Sequence, residues 1–247
     1  MNLIIKYISV FGVAVLMLFA CRKDGKCIKS TGKVVTEKRI ISNAFNRVSL
    51  DHNINLFITY DTIVEITVEA GENLLNHIIT EVDGNTLTID NENKCNFLRS
   101  FKTPINVYLT CPDIRYLHYS GSGNITATNT LNYATFQIEI HDGSGSIDLD
   151  LNCDSVIFWE HTGPADFFIK GNTNYLYAYS AGNGWFYMKD LTAKDVQINN
   201  NGTGDIQTTV TNFALFELYN IGNIDYYGNP PTVIISADTG EGQIRKK

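Results

Sequence analysis

Two histidines, His141 and His161, each stand two residues before the first glycine of a turn, Gly143 and Gly163. On stacked strands such residues lie about 4.8 Å apart, near enough for two imidazoles to share a metal. The same counting puts Tyr119 and Ser180 in their column. No carboxylate or cysteine at a matching spacing completes a ligand set, so the pattern predicts a polar ladder with no metal or other cofactor. Asp148 and Asp150 alternate along one stretch and would share a strand face, as in the carboxylate pairs of glycan-cleaving enzymes. Those enzymes wall the pair in with long loops and basic side chains. Here the units are short and lysines sparse from 112 to 240. Ser122 and Ser144 occupy turn positions, where serine is simply a good turn former, and no histidine and acid converge on either. No catalytic residue is expected.

Aromatic residues offer a binding surface instead. Tyr175, Tyr177 and Tyr179 alternate along one stretch, and Trp185 and Tyr187 follow beyond the next turn. Facing out, these rings would stack against a sugar or a protein partner; facing in, they would be core. A mixture of the two is the expectation.

What must position all of these is a repeat. Gly121-Ser122-Gly123, Gly143-Ser144-Gly145, Gly163-Pro164-Ala165, Gly182-Asn183-Gly184 and Gly202-Thr203-Gly204 recur along the chain. Asn220-Ile221-Gly222 and Gly240-Glu241-Gly242 continue the series. Counted on the last residue of each, the steps are 22, 20, 19, 20, 18 and 20 residues. Two positions later stands an apolar residue every time: Ile125, Ile147, Phe167, Phe186, Ile206, Ile224 and Ile244. A fixed period near 20 with period-2 alternation predicts short strands stacked rung on rung, the apolar column forming an interior ladder. The glycines would be corners, chosen for their freedom to take φ > 0. A phosphate loop is excluded because no Lys-Ser/Thr follows. A calcium-binding β-helix is excluded because its period is nine with a fixed aspartate. Separate hairpins or a closed barrel remain the competing architecture.

Between Phe45 and Cys111 the glycine turn is missing but alternation is strong, as in Ile54–Thr59, Val64–Val68, Thr86–Ile89 and Ile105–Leu109. Asp83-Gly84-Asn85 signals a hairpin, and Glu72–Ile78 one short helical turn. Residues 44–111 are read as a cap with the first rungs, and 112–247 as the Gly-x-Gly repeats of the same single domain. The fold class is all-β: a parallel β-helix or β-solenoid with rungs of about 20 residues.

The N-terminus is an address. Lys6 precedes an apolar run from Tyr7 to Ala20, too short to span a bilayer and suited to a secretory signal over residues 1–20. The run ends at Leu18-Phe19-Ala20-Cys21, which resembles a bacterial lipobox with Cys21 as the lipidated residue. Residues 21–43 are polar and basic and read as a tether. An exported chain can form disulfides, and Cys27, Cys95, Cys111 and Cys153 allow three pairings. Cys111 and Cys153 would sit two rungs apart, too far to bond. Cys95 with Cys111 is the better-placed pair, and free buried thiols are equally compatible with the spacing. The 26 acidic against 19 basic residues leave a net charge of −7, which argues against a nucleic-acid partner.

Several segments recur in one order: Phe45-x-x-Val48, Val64 to Leu75, Gly84 to Ile89, Pro112-Asp113-Ile114 leading into Gly121–Ile125, and Asp225 to Pro230 before a final Gly-x-Gly. Over roughly residues 44–245 the chain resembles the head GIN domain family, the auto-transporter adhesin-like domains of Bacteroidetes lipoproteins. The departures are Gly163-Pro164-Ala165 and Asn220-Ile221-Gly222, each missing one glycine. The resemblance implies a solenoid in the cell envelope and supplies no catalytic residues. The functional expectation is a lipid-anchored, adhesin-like protein that binds protein or glycan without turnover. The alternatives are a structural or self-associating envelope module and, behind it, a glycan-active enzyme.

Overall fold

The structure is a computed structural model that describes residues 30–41, 43–94 and 103–247. The leader, Cys21, Cys27 and Cys95 lie outside the described residues. The chain enters through β1 (Val34–Arg39), β2 (Arg47–His52), β3 (Ile54–Tyr60) and β4 (Glu65–Gly71). A 3-10 turn at Leu75–His77 leads to β5 (Ile78–Asp83), β6 (Thr86–Asn91) and β7 (Ile105–Cys111). Then come β8 (Tyr116–Gly121), β9 (Ile125–Ala127) and β10 (Thr135–Ile140). Four long strands follow: β11 (Ser146–Glu160), β12 (Asp166–Ser180), β13 (Phe186–Asn200) and β14 (Ile206–Leu218). β15 (Ile224–Tyr227), β16 (Thr232–Asp238) and β17 (Ile244–Lys246) end the series.

Parallel pairing stacks these strands into two walls of a β-solenoid. The first wall runs β7, β3, β9, the first halves of β11 to β14, β15 and β17. The second runs β6, β2, β8, β10, the second halves of β11 to β14, and β16. A strand changes wall where its alternation slips and two successive side chains both face out, at Asp154-Ser155, Asn174-Tyr175 and Lys194-Asp195. Antiparallel strands cover the N-terminal end of the stack: β4 on β7, β1 on β4, and β5 on β6. The hairpin between β5 and β6 turns on Gly84 at φ +59°.

Chain order and stacking order differ there. The β2–β3 coil lies between β6–β7 and β8–β9. Cys111, at the end of β7, is therefore three strands from β11 and Cys153 rather than two. Both thiols are free and buried, and burial pushes Cys111 up to about 11, out of the reactive thiolate range.

The interior ladder matches its sequence signature. Val107, Leu56, Ile125, Ile147, Phe167, Phe186, Ile206 and Ile224 occupy successive strands in one register and are fully buried. Each rung leaves its apolar face open until the next covers it, so the burial that stabilises the fold lies between rungs.

The corners correct an expectation. Of the turn glycines only Gly163 takes a positive φ, +107°. The others have ordinary backbone, and glycine is required by close approach. A Cβ on Gly123, Gly145, Gly184 or Gly204 would lie 1.8–1.9 Å from a carbonyl oxygen of the preceding corner. Beneath the corners, inward polar side chains satisfy backbone groups that the ladders cannot pair. Tyr119 donates its hydroxyl to the Gly123 carbonyl at 2.6 Å and accepts from the Gly145 N–H at 3.0 Å. Asn200 accepts from the Gly202 N–H and donates to the Gly204 carbonyl, both at 3.1 Å. Just past four of the corners, a side-chain oxygen accepts the next rung's N–H: Asn124 from Ser146, Asp166 from Trp185, Asp205 from Asn223 and Asn223 from Gln243. This accounts for Asn124, Asp166, Asp205 and Asn223 at the position just past their corners.

Candidate functional site

The aromatic residues singled out in the sequence do not form one platform. Leu176 and Ala178 are fully buried, so Tyr175, Tyr177 and Tyr179 all face outward on the second wall rather than dividing between core and surface. There Tyr177 meets Trp159 edge-on at 6.3 Å, and Tyr179 lies 5.7 Å from His161. Trp185 and Tyr187 lie beyond the glycine corner, on the first wall.

On that wall they are joined by Phe168. Phe168 and Tyr187 are register partners on β12 and β13, with centroids 4.9 Å apart and planes within 13°. Trp185 stacks on Tyr187 at 5.9 Å and 18°. Phe168, Trp185 and Tyr187 are 42%, 40% and 36% exposed, so three nearly parallel rings form a terrace on the outer face. Farther along the column Phe57 and Tyr108 stack at 5.0 Å, with Thr126 and Asp148 standing between the two aromatic groups. Phe168 and Tyr187 stand on strands paired on both sides, and the Trp185 backbone just before β13 donates to Asp166 Oδ1 and accepts from the Phe167 N–H, so the terrace is organised before any ligand arrives. Phe168 escapes sequence inspection because it follows Phe167, and the doublet reads as core. The signal that finds it is the ladder itself, since the residue after each buried Ile/Phe must face out.

The acidic pair stands on the same outer face. Asp150 lies 3.7 Å from Lys170 on the neighbouring strand, while Asp148 is the register partner of Phe168. A concavity lies elsewhere among the described residues, an open groove of about 480 Å³ at the bend between the walls. Asn132, Asn152, Asn172, Asn174, Asp154 and Lys194 line it. Asn152 donates to Asn132 at 2.8 Å, and Asn174 to Asp154 at 3.1 Å. These polar side chains are engaged with each other along the stack.

His141 and His161 do stack, at 4.5 Å and 16°. Tyr119 and Ser180 are not in their column. The strand register aligns Tyr119, Ile140, Glu160 and Ser180 as an inward column. The corners after Ile140 and Glu160 each hold one extra residue, so counting back from the glycine lands on an outward side chain there and an inward one elsewhere. The expectation that no carboxylate accompanies the histidines fails as well. Glu139 accepts from His141 Nε2 at 3.2 Å and from His161 Nε2 at 3.0 Å.

Fold and surface together define a stacked β-solenoid with ordered aromatic side chains on its outer faces. The chain belongs to the family described as "Putative auto-transporter adhesin, head GIN domain", whose pattern matches residues 44–230. A putative adhesin from Bacteroides fragilis shares its fold at 23% identity and a TM-score of 0.80, over 87% of this chain and 97% of that chain. A putative lipid binding protein from Parabacteroides distasonis is similar at 18% identity and a TM-score of 0.65, over 89% and 99%. A putative adhesin from Parabacteroides merdae is similar at 19% identity and a TM-score of 0.56, over 89% and 98%. No curated protein matches the chain.

Proposed function

We propose that the chain is a cell-envelope lipoprotein, held by a lipid on Cys21, whose solenoid binds a surface glycan or protein without catalysis. The observation that carries this reading is the terrace of Phe168, Tyr187 and Trp185 on a rigid wall. Rings this exposed present a contiguous apolar surface, which complements the C–H groups of a sugar chain or the apolar side chains of a protein. The adhesin descriptions of the family and of its structural neighbours support ligand binding over turnover. So does the placement of Asp148 and Asp150 on an open face, the second tied to Lys170. The test is a glycan array probed with the full chain in detergent. Binding to at least one glycan class is expected, weakened about tenfold or more in the W185A/Y187A variant, since each aromatic contact contributes about 1 kcal/mol. A parent that retains nothing overturns the glycan version. Binding that the double variant leaves intact overturns the terrace.

One observation favours self-association as a second reading. Val233, Ile234 and Ile235 on β16, the last rung of the second wall, are 39%, 45% and 51% exposed. Val233 and Ile235 continue inward columns, yet among the described residues no further strand covers them. An apolar edge strand recruits another chain unless a charge interrupts it. Light scattering should show the mass rising with concentration in the parent and staying monomeric in Ile234→Lys. A parent that is monomeric throughout contradicts this reading.

A further inference from the structure

We propose a divalent transition-metal site, suited to Zn²⁺, on the outer face of the second wall, formed by His118, Glu139 and His141 with His161 alongside. Backbone register alone gathers the four. His118 on β8 and Glu139 on β10 are direct partners, His141 follows Glu139 by two residues on the same face, and His161 lies beside His141 from the next rung. Neighbouring strands are about 4.8 Å apart and same-face residues under 7 Å, so every ligand sits one lattice step from the next.

The side chains converge on that lattice. One ligand atom from each of His118, Glu139 and His141 lies within 4.8 Å of the others. A single oxygen of Glu139 lies 3.2 Å from His141 Nε2 and 3.0 Å from His161 Nε2. Two ligands of one tetrahedral ion with bonds of about 2.0–2.1 Å are themselves about 3.3 Å apart. Glu139 with His141 and Glu139 with His161 therefore already have nearly the separations that a shared zinc requires, and His118 would close in from within 4.8 Å.

An outer layer orients the carboxylate. The Tyr116 hydroxyl donates to the other oxygen of Glu139, and the Arg47 guanidinium lies 3.9 Å over the Tyr116 ring. Such support is what metal ligands need to hold their direction. The Tyr116 hydrogen bond, followed by those from His141 and His161, holds the Glu139 carboxyl below the usual carboxylate range. Imidazoles with one carboxylate suit Zn²⁺, Ni²⁺ or Cu²⁺; the hard cations Mg²⁺ and Ca²⁺ prefer all-oxygen shells.

The test is isothermal titration of ZnCl₂ into the untagged, EDTA-treated full chain in detergent at pH 7.5. We expect one equivalent bound in the micromolar range and no heat from MgCl₂. His118→Ala/His141→Ala should bind at least about tenfold more weakly, while His77→Ala, outside the cluster, binds as the parent does. These side chains face solvent, so the variants should melt with the parent. Absence of zinc binding by the parent overturns the proposal, and so does undiminished binding by the double variant.

Discussion

Gly204→Ala is expected to destabilise the solenoid by on the order of 3 kcal/mol, read as a lowered urea midpoint. The backbone at Gly204 has no left-handed φ, so alanine can adopt its conformation. The obstacle is the preceding rung: the new Cβ would sit 1.8 Å from the Gly184 carbonyl oxygen and 2.6 Å from its carbon. Relief requires the two corners to part, and the parting disturbs the Thr203 N–H bond to the Gly182 carbonyl at 3.0 Å. It also loosens the packing of Phe186 on Ile206 directly below. Gly84→Ala is the contrast. Its Cβ meets nothing within 4 Å, but φ is +59°, so the cost is backbone strain alone, about 1 kcal/mol. If the two variants lose equal stability, conformational freedom rather than rung spacing explains the corner glycines.

Glu160→Gln is expected to abolish a loss of stability of about 3 kcal/mol that the parent suffers between pH 4.5 and about 7. Glu160 is fully buried beneath a corner, accepting from the Ser180 hydroxyl at 2.8 Å and from the Gly184 N–H at 3.1 Å. Burial raises its carboxyl from 4.5 to about 7; the Asp166 charge adds to the rise and the hydrogen bonds oppose it. The folded chain thus holds this proton more tightly than the unfolded chain. Its stabilisation is complete below about pH 4.5, fades as pH climbs and is gone once pH passes about 7. Glutamine keeps an acceptor for the Gly184 N–H and cannot ionise. Chemical denaturation across pH 5–8 should show the parent losing stability relative to E160Q, with the variant the more stable at pH 8. Parallel profiles would contradict the assignment.

The repeat was legible because corners and core impose strict, local demands. A side chain two residues past the glycine has to fill the ladder, so Ile125, Ile147, Phe167 and Phe186 announce themselves. What failed was counting across insertions and across the order of coils. Ile140 to Gly145 spans one residue more than Tyr119 to Gly123, with Asp142 at φ +59° in the longer corner. That single residue hid the true column of Glu160 and put Tyr119 and Ser180 in the column of the outward histidines. Likewise the β2–β3 coil intercalates out of chain order, which no spacing within residues 112–247 reports, and it displaced Cys111 by one rung. Glu139 and Phe168 were overlooked for a related reason. Their significance depends on partners across strands, His118 for one and Tyr187 for the other, and sequence proximity carries no trace of either pairing.

The binding surface itself is tested most directly by the fluorescence of Trp185. The chain has two tryptophans, so Trp159→Phe leaves Trp185, at the edge of the terrace, as the sole reporter. Addition of a ligand identified on the array should shift its emission to the blue and saturate at the concentration that saturates binding, as a 40% exposed indole is covered. A ligand that binds this variant while the emission of Trp185 stays unchanged would place the binding surface elsewhere and contradict the account.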